Sequence, residues 1–121
     1  MLFNRGSFQS HSGLELTWKI ECDSLPDSDL EALAELVGKK LKFDRVIGVP
    51  RGGLRFAQAL RPYSVAGGPT LLVDDVLTTG RSMTELRGTI DGPVIGVVIF
   101  ARGSVPLWVT PIFELARQLC P

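Results

Sequence analysis

Two cysteines in 121 residues, Cys22 and Cys120, and a single histidine, His11, leave little for a metal centre or a disulfide framework. The cysteines have no metal-ligand spacing, and one His cannot complete a zinc site with them. A small secreted domain stapled by disulfides uses more cysteines than this. An excess of charge of either sign is also missing, because 13 Lys and Arg balance 13 Asp and Glu. That balance argues against a protein that holds nucleic acid mainly by bulk charge, and leaves only a local basic patch open. The uncharged stretches carry Gly or Pro and fall short of the roughly 20 residues a membrane helix needs. Residues 1–10 hold no apolar segment of the kind a secretory signal requires. The expected setting is a reducing cytoplasm, with no membrane and no nucleic-acid partner.

What is present suits one globular domain spanning 1–121. Hydrophobic residues make up 45% of the chain and charged ones 21%, which places it outside the disordered class. A chain of this length buries roughly two-thirds of its unfolded surface, enough for one core. Its 13 glycines and 8 prolines signal tight turns. No internal repeat is visible.

Residues 3–12 are polar and rich in Gly and Ser, so they read as a loop. Residues 14–20 (LELTWKI) alternate apolar and polar, the period of a half-buried strand. Asp27 and Asp29 then precede Leu30, Leu33, Leu36 and Val37, and Lys39-Lys40 follow. This is helical spacing with charges matched to the helix dipole. Short apolar strands are expected at 45–49, 70–73 and 93–100, with a fourth at 107–109. Helices are expected at 54–60, 81–90 and 111–119. Apolar strands alternating with helices indicate a parallel sheet covered on both faces. Ligands of such sheets bind at the carboxyl ends of the strands. The loops at 50–53 and 74–80 belong on that edge.

Common phosphate and catalytic motifs are missing. No two glycines stand at i and i+2, which excludes a dinucleotide GxGxxG. Gly48 and Gly53 have the outer spacing of a Walker loop, but Leu54 and Arg55 follow where Lys and Ser/Thr are required. There is no GxSxG. What remains is TLLVDDVLTTGRS at 70–82. Four apolar residues leave the core, two carboxylates follow, and Thr78, Thr79, Gly80 and Ser82 lead into a helix. Hydroxyls and N–H groups at such a turn suit an anion, and Gly80 allows close approach. Paired carboxylates beside a phosphate cradle suit a ligand with a phosphate at one end and vicinal hydroxyls at the other. Carboxylates accept hydrogen bonds from hydroxyls and attract magnesium.

Residues 70–82 resemble the phosphoribosyl pyrophosphate (PRPP) binding motif of type I phosphoribosyltransferases over all thirteen positions. The resemblance implies that Asp74 and Asp75 hold the ribose hydroxyls, acting as the catalytic acid pair and as weak or indirect magnesium ligands. It implies that Thr78, Thr79, Gly80, Arg81 and Ser82 hold the 5-phosphate. IGVPRGGL at 47–54 is similar to the family's pyrophosphate loop, which assigns Arg51 and Gly52 to pyrophosphate. A guanidinium fork suits a diphosphate. GSFQSHSG at 6–13 resembles an N-terminal segment of orotate phosphoribosyltransferases, and Phe100-Ala-Arg102 sits where that branch places a base-recognising Arg. Phe8, His11 and Arg102 are the base-side candidates on this resemblance.

Two departures stand out. The orotate branch carries a Lys where this chain has His11, and a neutral imidazole holds a carboxylated base less firmly. The family also places an extra strand and a long flexible loop before the acid-pair strand. Here nine residues, 61–69, fill that connection. In the family that loop covers the pyrophosphate and excludes water.

Plain readings stand beside these. Asp74-Asp75 could be a solvated strand end, Arg51-Gly-Gly a simple turn, Arg102 a surface charge and His11 a loop residue. Arg55, Arg61 and Arg81 could add to phosphate attraction or face solvent.

The expected fold is α/β: a mostly parallel twisted sheet of four or five strands flanked by helices, with a small N-terminal hood over about residues 1–25. The expected function is magnesium-assisted transfer of a phosphoribosyl group from PRPP to a nitrogenous base such as orotate. Pyrophosphate leaves, and a homodimer is expected. The rival is a regulatory protein on the same fold that binds PRPP or a nucleotide with weak turnover.

Overall fold

The computed structural model of the chain describes residues 3–9, 15–20 and 25–114. Strand β1 (Phe3–Gln9) pairs antiparallel with β2 (Glu15–Ile20), Phe3 opposite Ile20, with a register shift between Arg5 and Phe8. Residues 3–9 are therefore a strand and not the loop that their Gly/Ser content suggests. The ladder to β2 provides the order that their side-chain pattern lacks.

Helix α1 (Asp27–Lys40) has the span its charge pattern indicates, with Asp27 and Asp29 in the first turn and Lys39 and Lys40 in the last. Pro26 precedes it in extended conformation, and its carbonyl accepts from the Asp29 and Leu30 N–H groups at 3.0 and 3.2 Å. Strand β3 (Val46–Gly48) leads through residues 49–53 into α2 (Leu54–Leu60) and a short 3-10 turn (Arg61–Tyr63). Strand β4 (Thr70–Leu77), α3 (Arg81–Arg87), β5 (Val94–Ala101) and β6 (Val109–Glu114) follow.

The four strands form one sheet in the order β3-β4-β5-β6, every pair parallel. One face carries α1 and α2, with Leu30, Ala34, Val37, Phe56, Ala57 and Leu60 packed on Leu71, Val73, Val97 and Ile99. The other face carries α3 and residues 102–108, where Met83, Val105 and Trp108 pack with Leu72, Leu77 and Val98. Phe43, Phe56, Leu71, Leu72 and Ile99 are fully buried. Each such side chain contributes about 1.5–3 kcal/mol by leaving water.

Three further boundaries differ from the sequence pattern. β4 continues to Leu77 and does not stop at Val73, because β5 pairs with it as far as Leu77–Ala101 and so carries two aspartates into the ladder. α3 stops at Arg87, where Gly88 begins a turn closed by Thr89 N–H to Leu86 O at 3.0 Å. Residues 111–114 are the last four residues of β6 and not the start of a helix; residues 115–119 of the expected helix lie outside the described residues. Pro111, which resembles a helix-opening proline, stands opposite Val98 on an outer strand of the sheet. A missing N–H is tolerated on an outer strand.

Two connections matter for the site. The segment 61–69 joins the end of α2 to the start of β4, at the amino-terminal edge of the sheet. It is tied there to the α1–β3 loop, with Val65 N–H donating to Phe43 O at 2.7 Å and Asp44 N–H to Pro69 O at 2.9 Å. The β5–β6 crossover uses only residues 102–108, with no helix, where parallel strands usually take a dozen residues or more.

Candidate active site

β3 ends two residues before the Pro50 turn, and β4 runs on beyond it. Past Val73, β4 is therefore flanked by the 49–53 turn and no longer by a strand. Val49 N–H donates to Val73 O at 2.8 Å, and Gly53 N–H returns to Val49 O at 2.9 Å, which seats the turn beside Asp74 and Asp75. The Pro50–Arg51 peptide within it is cis.

The pleat of β4 slips at the acid pair. Val73 and Val76 both pack in the α1/α2 cluster although they are three residues apart, while Leu72 and Leu77 join the opposite cluster. Strict alternation would separate them. At the slip each carboxylate caps the next backbone group. Asp75 N–H donates to Asp74 Oδ1 at 2.8 Å, and Val76 N–H to Asp75 Oδ1 at 2.7 Å. Burial raises Asp74 from the usual carboxylate range to about 8; the side-chain hydrogen bond to Asp75 and that group's charge add to the rise, while the Asp75 N–H opposes it. Burial and the neighbouring Asp75 thus favour the protonated form of Asp74 in the ligand-free protein.

The 50–53 turn meets the acid pair at Gly52. A Cβ built on Gly52 would fall on the Asp75 carboxylate. Only a residue without a side chain lets the two approach this closely. Arg51, beside Gly52, is exposed at the rim.

After Leu77 the chain turns through Thr78 and Thr79 to Gly80, which has φ of +77°. Thr79 Oγ1 accepts from Arg81 N–H at 3.3 Å, and Gly80 O accepts from Thr84 N–H at 3.0 Å, starting α3. Thr78 is half-buried, while Thr79, Arg81 and Ser82 are exposed. The Arg81 side chain lies along α3 toward Glu85, with Nε 3.2 Å from Oε1. At the end of β5, Arg102 is half-buried and its N–H donates to Leu77 O at 2.8 Å, which brings this base-side candidate to the carboxyl end of β4.

Asp74, Asp75, Arg51, Gly52, Arg102 and residues 78–82 thus share one edge of the sheet. His11 lies outside the described residues. Phe8 lies in β1 opposite Leu16, and its side chain is likewise outside them. Arg55 and Arg61 are not phosphate-side groups. Arg55 donates to Leu25 O and Asp27 Oδ1, both at 2.9 Å, and braces the start of α1. Arg61 lies at the opposite edge of the sheet, 3.5 Å from Val46 O. A groove of about 460 Å³ between α1 and the α2–Tyr63 segment, lined by Leu30, Glu31, Gln58 and Tyr63 among others, contains none of the edge residues. It lacks paired acids and an anion turn together, so the sheet edge is the better candidate. Sequence reading did not single out Val76, which marks the pleat slip, or Pro106, which packs behind Gly80. Neither belongs to a motif.

Among the described residues, no three His, Cys, Asp or Glu side chains gather to hold a metal. Asp74 and Asp75 supply two adjacent carboxylates, a donor set that suits magnesium when substrate oxygens and water complete its shell.

No family model matches the chain. It is 32% identical to an orotate phosphoribosyltransferase of Pyrobaculum aerophilum, across 78% of this chain and 66% of that protein, so it spans just under two-thirds of the relative's length. Among solved structures, it is similar to orotate phosphoribosyltransferase from Aeropyrum pernix, with a TM-score of 0.74 and 24% identity over 93% of this chain and 88% of that one. It is also similar to Leishmania donovani UMP synthase, with a TM-score of 0.74 and 17% identity over 98% of this chain and 34% of that one. A purine phosphoribosyltransferase from Pyrococcus horikoshii Ot3 shares the fold at a TM-score of 0.55 and 21% identity, over 74% of this chain and 81% of that one.

Proposed function

We propose that the chain is a type I phosphoribosyltransferase, which transfers the 5-phosphoribosyl group of PRPP to the nitrogen of a pyrimidine base, orotate, releasing pyrophosphate. The observation that carries this is the edge itself: an acid pair, a glycine turn against it and an anion turn directly after it, in one continuous rim. Asp74 and Asp75 accept hydrogen bonds from the ribose hydroxyls. Residues 78–82 offer hydroxyls and N–H groups to the 5-phosphate, and Arg51 and Gly52 face the pyrophosphate. Arg102, with Phe8 and His11, addresses the base.

In the reaction the C1–oxygen bond to pyrophosphate breaks, the oxygen keeps the electron pair, and the base nitrogen forms the new bond to C1 while its proton passes to pyrophosphate or water. The ribose carbon carries positive character as the bond breaks. Placement of the two ends of the substrate therefore does most of the work, with charge stabilisation of the departing pyrophosphate. Asp74 and Asp75 would hold magnesium together with substrate oxygens, and the cation supplies neutralising charge for the leaving group.

A homodimer belongs to this reading. A cytoplasmic location does too; no helix among the described residues is long and apolar enough to cross a membrane. The rival reading, a PRPP-binding regulator, is favoured by one observation: the 61–69 connection sits at the far edge and cannot cover the site. Calorimetric titration with PRPP, magnesium and a panel of bases, followed by a turnover assay, decides. Tight PRPP binding with turnover on orotate supports the transferase. Binding without turnover on any base supports the regulator, and no PRPP binding removes both.

A further inference from the structure

Gly80 is buried although Thr79, Arg81 and Ser82 around it are exposed. What covers it is Leu77 and Pro106: a Cβ placed on Gly80 would lie 3.7 Å from Leu77 Cδ1 and 3.9 Å from Pro106 Cγ. A side chain at Gly80 would thus meet both at ordinary packing distance, so Leu77 and the β5–β6 crossover face the left-handed turn from behind.

That crossover is a strap held at several points. Arg102 N–H is bonded to Leu77 O at 2.8 Å. Val105 packs in the cluster with Leu77 and Met83. Val109 N–H closes a turn onto Pro106 O at 3.0 Å. Trp108 lies beneath the Arg87 guanidinium at 4.5 Å, and a Cβ on Gly96 would stand 2.9 Å from its ring. A segment fixed at both ends and in the middle has little freedom to slide. Proline stiffens it further, because its ring locks φ.

The geometry points to Pro106 as a positioning residue, which sets the Gly80 turn from behind and so fixes the 78–82 anion site without touching the ligand. This rests on the reading of 78–82 as the 5-phosphate turn. The strap begins at Arg102, so the same seven residues link the base-side candidate to the phosphate side.

The test compares two probes on the folded chain: ribose 5-phosphate, which needs the 78–82 turn, and pyrophosphate with magnesium, which needs the 50–53 turn. The variants are Pro106→Gly, with Pro106→Ala as the milder one should the first fail to fold. The expected result is ribose 5-phosphate affinity lowered by about tenfold, with pyrophosphate affinity unchanged, since a displaced binding group is costly even when its chemistry is intact. Equal losses for both probes would mean a merely structural role and overturn the proposal. So would no loss for either. Wild-type protein that binds pyrophosphate but not ribose 5-phosphate would instead overturn the assignment of 78–82, and the positioning role with it.

Discussion

The Asp75 carboxylate fills the space that a side chain on Gly52 would occupy. The 50–53 turn and the acid pair are therefore mutually fitted, and a change in one is felt by the other. Gly52→Ala should displace Asp75. The expected outcome is weaker binding of ribose 5-phosphate, by about tenfold, although that ligand carries no pyrophosphate. Titration with ribose 5-phosphate reads it directly, and unchanged affinity would show that the contact does not orient Asp75.

Asp75→Asn keeps the shape and removes a charge. PRPP affinity should fall by about 1–3 kcal/mol, the scale of losing a charged hydrogen bond. The double change Asp74→Asn/Asp75→Asn should lose more. Calorimetry on the three proteins checks this, and wild-type affinity in the double variant would reject the acid-pair assignment.

Arg51→Ala should separate the ligands in the other direction. Pyrophosphate and PRPP should weaken more than ribose 5-phosphate if Arg51 holds the diphosphate end as proposed, since a guanidinium fork pairs with two phosphate oxygens. Equal losses for the three ligands would mean that the turn is only a scaffold.

Asp74 gives a pH signature. Its folded value is raised from 3.8 to about 8, so the native state binds the proton more tightly than the unfolded chain does. The stability this group contributes is full below about pH 4 and is lost as pH rises through about 8. Thermal melting from pH 5 to 9 should show a declining midpoint in the wild type and a flatter profile in Asp74→Asn. A wild-type midpoint that does not fall over that range would contradict the burial argument.

The 61–69 connection predicts slow chemistry. With that segment at the amino-terminal edge, it does not shield the proposed pyrophosphate side, where water would dilute charge stabilisation by its high dielectric. Orotate turnover should fall below the usual range of about 1–1000 per second. A steady-state assay beside a sedimentation measurement tests it; ordinary turnover from a monomer would refute it.

Much of the architecture was readable because it rests on local signals. Asp27, Asp29, Lys39 and Lys40 delimit α1, and the apolar runs mark β3, β4 and β5. The candidate residues on β4 and in its turn could be named because their chemistry is written contiguously. What escaped depends on partners distant in sequence. β4 extends through Asp74 and Asp75 only because β5 runs alongside. β6 continues through Pro111 because an outer strand tolerates it. Gly52 was readable as a turn residue, but its fit to Asp75, across more than twenty positions of chain, was not. Pro106 behind Gly80 is of the same kind.

The separation of the two sheet edges has a practical side. Gly67 sits in the exposed 61–69 connection at φ +88°, and a Cβ built there meets nothing within 4 Å. It lies before the amino end of β4, whereas the acid pair stands past the strand's middle. A peptide tag or a fluorophore grafted at that tip would ride on the molecule as a handle, tethering or lighting it while the reactive rim stays open to solution.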